Sequence, residues 1–332
     1  MTTTERTRIK LRDPGDLIAA VPYLLGFRPE ESLVLAAHTG PSGEDVQLCV
    51  RADLPDPANY GTLAEQLKLP VLRANAVAVT VVVVCAGEPE PLPHQELADI
   101  LAAVFGAAGV ALSHALWTTA IEEGAPWWCY DDLECNGQVP DPTASELAVV
   151  SAANGVVTYG SRAELRNILE PADPQPVRRR AMLMADALRV RLSEQHAYKL
   201  IANLASDVRA GTLELDDDRV VNLAVALTHI RVRDHCLCDA TTVPGRAMEQ
   251  AWMELTRAMP RPYRAEPASL LAVLAFLRGD GALAGVALEA ALEAQPRHMI
   301  AYLLRQSMDL GLPPAEVAAA IASGAREHAP DS

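Results

Sequence analysis

The chain has 332 residues, of which 50% are hydrophobic and 21% charged; 28 basic against 43 acidic side chains give a formal charge of −15. A hydrophobic share of that size excludes a disordered chain, and the negative field opposes a nucleic-acid or other polyanionic partner. No run reaches the roughly 20 uninterrupted apolar residues of a membrane-spanning helix, Met1 to Lys10 holds no apolar signal core, and the six cysteines do not form a disulfide framework, so cytoplasmic residence with reduced thiols is expected.

In chain order, Leu11 to Asp16 reads as a helix start, with Asp13 as cap and Pro14 at the first helical position. Leu17, Ala20, Val21, Leu24 and Leu25 make its apolar stripe; Pro22 is expected to bend or divide it, and Gly26 to close it. A turn at Pro29 to Glu31 leads into a strand at Ser32 to His38. After a loop at Gly40 to Gly43, the alternation of Val46, Leu48 and Val50 predicts a second strand in an antiparallel hairpin with the first. A helix over Tyr60 to Lys68 precedes the most apolar stretch, Ala76 to Cys85. Its valines lose less in a strand than in a helix, and apolar side chains on both faces imply an interior strand covered by helices.

A helix from His94 to Ala108 follows, with Leu97, Ile100, Leu101, Val104 and Phe105 inward. Val110 to Thr119 and Pro126 to Tyr130 read as strands, Asp131 to Pro142 as a polar loop, and Ser145 to Ala153 as a helix. Ser161 to Glu164 has capping-box spacing and opens a helix that stops before Pro171. The expectation for 11–172 is a mixed α/β domain of about five strands covered by helices.

Beyond Pro176 every pattern is helical: Arg178 to Arg191, Glu194 to Arg209, Asp217 to Arg231, Arg246 to Met259, Pro267 to Leu277, Gly281 to Ala294 capped by Asp280, Pro296 to Leu310, and Ala315 to Ser323. This predicts an all-helical domain over 177–323. The pair at about 281–310, with small Ala284, Ala287 and Ala291, has the look of a tetratricopeptide-like helix hairpin, though one pair does not make a repeat array. Met248, Trp252, Leu255 and Met259 read as a core stripe, and the basic run Arg178, Arg179, Arg180, Arg189 and Arg191 as a solvated helix face.

Chemistry is sparse. Nucleophile-elbow, phosphate-loop and dinucleotide fingerprints are all missing. His229, His235, Cys236 and Cys238 are the one metal-like cluster, but a Cys-x-Cys beside a histidine crowds a tetrahedral site and no second arm completes it; no metal and no cofactor are expected. Asp131-Asp132 and Asp216 to Asp218 lack the glycine pattern of a calcium loop. The best polar surface lies where strand ends meet, at Arg51, Asp53, His38 and the segment from Trp127 to Asp132.

The opening segment Pro14-Gly15-Asp16-Leu17-Ile18-Ala19-Ala20-Val21-Pro22-Tyr23-Leu24-Leu25-Gly26-Phe27-Arg28-Pro29-Glu30-Glu31-Ser32-Leu33-Val34 resembles that of an actinobacterial family of unknown function, DUF4192. Arg51 to Pro55, Ser161 to Leu165, Arg233-Asp234 and Gly279 to Ala284 extend the resemblance over about 11–315. It implies a cytoplasmic protein and no transferable mechanism. The cysteine-rich stretch that often follows the tryptophan segment in that family is reduced here to Cys129 and Cys135, without an adjacent pair.

The leading expectation is therefore a protein-interaction or structural role through the helical half, with a protein partner or self-association and no membrane. The alternative is a hydrolase-type enzyme acting on a small polar substrate at the sheet edge. There Arg51 clamps an anion, Asp53 or Asp131 acts as base, and His38 stands by. A nucleic-acid-associated role ranks third because of the charge.

Overall fold

The computed structural model describes residues 13–40, 45–190, 192–242 and 246–327. The Met1 to Lys10 segment, most of the Gly40 to Gly43 loop and Arg191 lie outside them. The chain divides into two compact units: one runs to Glu164 and also holds Asp309–Gly311, the other comprises Leu165–Met308 and the chain from Leu312.

The first unit opens with α1 (Pro14–Leu25), where the Asp13 carboxylate accepts the Asp16 amide at 2.9 Å and Gly26 ends the helix in the left-handed region at φ 78°. Pro22 sits inside this one helix and does not divide it. Then come β1 (Ser32–Thr39), β2 (Asp45–Asp53), α2 (Tyr60–Arg73), β3 (Ala78–Val84), α3 (Gln95–Ala107), β4 (Ala111–Thr118), β5 (Pro126–Cys129), β6 (Asn136–Gln138) and α4 (Glu146–Ala153). The helix expected to end at Lys68 continues through Pro70 to Arg73.

These strands form one six-stranded sheet in the order β2-β1-β3-β4-β5-β6. β3 and β4 are parallel, joined through α3; the other neighbouring pairs are antiparallel, including the β1–β2 hairpin. The valine-rich stretch is an interior strand as expected, and every residue of β3 is buried. A fully buried valine contributes about 1.5–3 kcal/mol over an exposed one, so this strand is a principal source of the unit's stability. α2 and α3 cover one face, packing Leu67, Val71, Leu97, Leu101 and Phe105 on Leu35, Val81, Val83 and Trp117. The alternate residues Val34, Ala36, Val82 and Leu116 point to the other face and are equally buried. α1 reaches that second face, since a Cβ on Gly15 would stand 3.1 Å from the Trp127 indole.

The sixth strand is a correction. Asn136 to Gln138 was expected within a polar loop, but it pairs with β5. Its three residues carry no apolar alternation, and Gly137 is there because the Trp127 ring lies against it: a Cβ would meet the ring at 3.0 Å.

α5 (Arg162–Asn167) carries the chain onward from the Ser161–Glu164 box, whose serine accepts the Glu164 amide at 3.1 Å while the Glu164 carboxylate takes the Gly160 amide at 2.7 Å. The second unit is helical throughout: α6 (Pro174–Ala187), α7 (Glu194–Ala210), α8 (Asp217–Leu227), α9 (Ile230–Thr242), α10 (Arg246–Ala258), α11 (Ala265–Arg278), α12 (Gly281–Ala294), α13 (Met299–Asp309) and α14 (Pro314–Glu327).

Several helix boundaries depart from expectation, α14 running to Glu327 and not to Ser323 among them. α6 begins at Pro174 instead of Arg178, because the Asp173 carboxylate caps the Gln175 amide at 2.9 Å. The single helix expected over Asp217 to Arg231 is two: Thr228 folds its hydroxyl back onto the Val225 carbonyl at 2.7 Å, and α9 restarts at Ile230. α13 starts at Met299 and not at Pro296, since His298 Nδ1 accepts the Ala301 amide at 3.3 Å.

α12 packs most closely against α11. The hairpin expected at about 281–310 joins α12 to α13, whereas the close packing of α12 is with α11; Ala284, Ala287 and Ala291 are fully buried, and Asp280 caps α12 by accepting the Leu283 amide at 2.9 Å. Trp252, Leu255 and Met259 are buried as the core stripe predicted.

Candidate functional site

At one corner of the sheet, Ser32 stands opposite both Asp53 of β2 and Val84 of β3. The buried Ser32 hydroxyl donates to the Glu30 carbonyl at 2.5 Å and accepts from Arg51 Nε at 2.7 Å. Arg51 also pairs with the exposed Asp53 carboxylate at 2.6 Å. Two segments quoted for the family resemblance, Glu30–Ser32 and Arg51–Pro55, therefore meet here, and the Arg51 guanidinium is engaged by the protein itself.

The other two expected catalytic residues are elsewhere. His38 lies six residues along β1, about 20 Å at strand rise, with Nε2 2.9 Å from the Thr80 hydroxyl. Burial, and then the neighbouring His114, hold its pKa below the ordinary histidine value. Asp131 follows Cys129, which pairs with Leu116, and β1, β3 and β4 lie between β2 and β5. Arg51 and Asp53 are brought together; His38 and Asp131 do not join them. Trp127 is buried in packing, and Trp128 packs against the core with its ring 5.4 Å from that of Trp117.

The metal-like residues are dispersed. Cys236 turns away from His235 and Cys238 on α9: His235 edges against Tyr198 and lies 3.4 Å from Asp239, while Cys236 is buried, its thiol pushed up to about 12. His229 precedes α9, where its carbonyl accepts the Val232 and Arg233 amides. Among the described residues no group of three or more His, Cys, Asp or Glu is placed to hold a metal ion. Asp216 caps α8, and Asp217 pairs with Arg179 and Arg180, so the acidic run serves helix and ion pairs.

A polar cluster that sequence reading missed lies at the carboxyl end of β3, on the α2–α3 face. The Tyr60 hydroxyl is 2.6 Å from His94 Nδ1. His94 caps α3 in the left-handed region at φ 56°, and Glu31, just before β1, is also left-handed at φ 42°. Such backbone strain in residues other than glycine gathers where side chains must be aimed. The Glu31 carboxylate accepts the Ala86 amide at 3.3 Å, and the Trp117 indole donates to the Cys85 carbonyl at 3.1 Å. Burial lowers the His94 pKa against the pull of Glu31; burial, with Glu96, Cys85 and Asp56 adding, raises that of Tyr60. The Tyr60 hydroxyl and His94 Nδ1 share one hydrogen bond, whose donor is set by the imidazole tautomer. Burial also raises the Cys85 thiol, so the cluster suits hydrogen bonding and proton handling better than thiolate attack. The signal in the sequence was faint: a histidine directly before a helix, after a proline-rich turn.

The helical unit offers a different surface. α13 buries Ala301 and Leu304, and exposes Met299 at 71%, Leu303 at 54% and Tyr302 at 53%. The spacing of Met299, Tyr302 and Leu303 places them on one face, three and four residues apart. His298, buried behind this face, caps the helix and sets its Nε2 3.2 Å from the Glu266 carboxylate, which lies 3.5 Å from Arg233. Arg233, one of the residues quoted for the family resemblance, therefore supports the base of α13. Among the described residues no helix is long and apolar enough to cross a membrane.

The chain matches the family model described as Domain of unknown function (DUF4192) over residues 14–315. No curated protein and no solved structure matches it. The chain belongs to the DUF4192 family.

Proposed function

We propose that this DUF4192 family member works by holding a protein partner through its helical unit, with the outer face of α13 as the contact. The observation that carries the reading is the run of Met299, Tyr302 and Leu303, each more than half exposed on one face of a helix whose opposite face is anchored by Ala301 and Leu304. Single exposed apolar residues are ordinary, but three adjoining large ones, methionine and tyrosine among them, match the composition of binding surfaces. The i, i+3, i+4 pattern is how a helix presents anchors to a partner's groove. Arg305, on the flank of α13, faces Glu289 at 3.9 Å.

The test is capture from native lysate with the tagged full chain, wild type beside a Met299→Asp, Leu303→Asp double variant. Both positions are exposed, so the variant keeps its thermal midpoint within a few degrees. The wild type is expected to retain a stoichiometric protein and the variant to lose it. Equal recovery by both, or recovery by neither, overturns the reading.

A further inference from the structure

The β5–β6 hairpin sets two thiols face to face. Trp127 pairs with Gly137 and Trp128 with Asn136, so Cys129 and Cys135 form the next rung, and the Cys129 amide donates to the Cys135 carbonyl at 2.9 Å. Directly opposed residues of an antiparallel pair turn their side chains to the same face with Cα atoms about 4.5–5.5 Å apart, inside the range of about 4.4–6.8 Å that a disulfide spans. The connecting turn is held in place: the Asp132 carboxylate accepts the Glu134 amide at 2.9 Å, the Asp132 carbonyl accepts the Cys135 amide at 3.0 Å, and the Asn136 side chain donates to the Leu133 carbonyl at 2.9 Å. Both cysteines are free, Cys129 buried and Cys135 half-buried. Cys236 and Cys238, two apart on a helix, diverge by about 200° around the axis and have no such geometry.

We infer that Cys129 and Cys135 are a redox-modification site, a dithiol that a hydroperoxide converts into a disulfide stapling β6 to β5. The more accessible Cys135 sulfur, as thiolate, attacks the peroxide; the O–O bond breaks, one oxygen leaves as water, and Cys135 becomes a sulfenic acid. The Cys129 sulfur then attacks that sulfur, the S–O bond breaks, and a second water leaves with the Cys129 proton. Two thiols and one hydrogen peroxide give one disulfide and two waters. Burial, followed by the Cys129 thiol and Asp132, holds the Cys135 thiol above its ordinary pKa, so the first step quickens as pH rises. The bond would fix the edge strand that carries Gly137 against Trp127.

The experiment treats the full chain with hydrogen peroxide, alkylates remaining thiols and maps the peptides by mass spectrometry. The peptide pair holding Cys129 and Cys135 is expected to lose two hydrogens, about 2 Da, and to resist alkylation until dithiothreitol is added. In a Cys135→Ser variant Cys129 stays fully alkylatable. Three results overturn the inference: both cysteines remaining alkylatable while another cysteine oxidises, Cys135 passing to sulfinic acid without linking to Cys129, or a Cys135-dependent covalent dimer on a non-reducing gel. Cys135 is the less buried of the two, so the variant at that position keeps the test clear of core damage, and the wild-type peptide map stands without any variant.

Discussion

The two units solve the problem of buried polar backbone in opposite ways. In the α/β unit the ladders of six strands consume it, and the one arginine in the sheet, Arg51, rests on a serine hydroxyl and an exposed carboxylate. In the helical unit, carbonyls at helix ends and in the turn before α8 are closed by arginines, of which Arg180 and Arg264 are buried and Arg257 half-buried. Arg180 donates to the Leu215 and Ala258 carbonyls at 2.6 and 3.0 Å and to Asp217 at 2.9 Å; Arg264 donates to the Leu169 carbonyl at 2.9 Å; Arg257 reaches that of Ile168. A sheet closes its own hydrogen bonds, whereas a helix bundle must import donors. That contrast explains why a chain with only 28 basic residues concentrates buried arginine in its second half.

The strongest way to break the contrast is to remove one arginine from each unit. Arg180→Met leaves the buried Ala258 carbonyl, the half-buried Leu215 carbonyl and part of Asp217 unpaired, and is expected to cost about 3 kcal/mol by urea denaturation. Arg51→Met, whose partners keep water or a second bond, is expected to cost about 1 kcal/mol. Equal costs would mean that the two units do not differ in this respect.

Glycine substitution sharpens the comparison next. Gly137→Ala drives a Cβ to 3.0 Å from the Trp127 ring in the α/β unit and is expected to destabilise by about 1–3 kcal/mol. Gly285→Ala, within α12 and with open space around its Cβ, is expected to stabilise by about 0.5–1 kcal/mol through helix propensity. Thermal unfolding of both variants gives the two signs directly.

The smallest effect concerns acid. His38 and His94 have folded pKa values below the ordinary 6.5, each chiefly through burial, so the neutral forms are favoured by folding. Their contribution is present above 6.5 and is lost as pH falls through the folded values. In the helical unit Asp217 is lowered from 3.8, first by Arg179, so its contribution holds until pH drops below 3.8. Hydrogen exchange followed from pH 7 downward is expected to show protection weakening in β1 and α3 before it weakens in α6 and α8. The reverse order would contradict the assignment.

Much of the fold was legible because its signals are local. The valines of β3, the Asp13 and Asp280 caps and the capping box at Ser161 each act within a few residues, and each stands where expected. What escaped is held by distant partners. β6 has no pattern of its own and exists because Trp127 and β5 meet it; the break after α8 depends on one threonine hydroxyl. The site was less legible still. Arg51 and Asp53 share a strand and were found together, but His38 is set apart by its place six residues along β1 and Asp131 by strand order, which no local pattern encodes. Tyr60 and His94 are 34 residues apart and meet only through the way α2 and α3 lie on the sheet.

The central claim, that the helical unit carries the partner through α13, is tested most directly by site-specific photo-crosslinking of the full chain in native lysate. A photoreactive residue at Leu303 of α13 is compared with one at Leu72 of α2, an exposed leucine of the α/β unit. The account predicts a discrete crosslinked species of defined mass from position 303 and none from position 72. Crosslinking from position 72 alone, or from neither position, would contradict it.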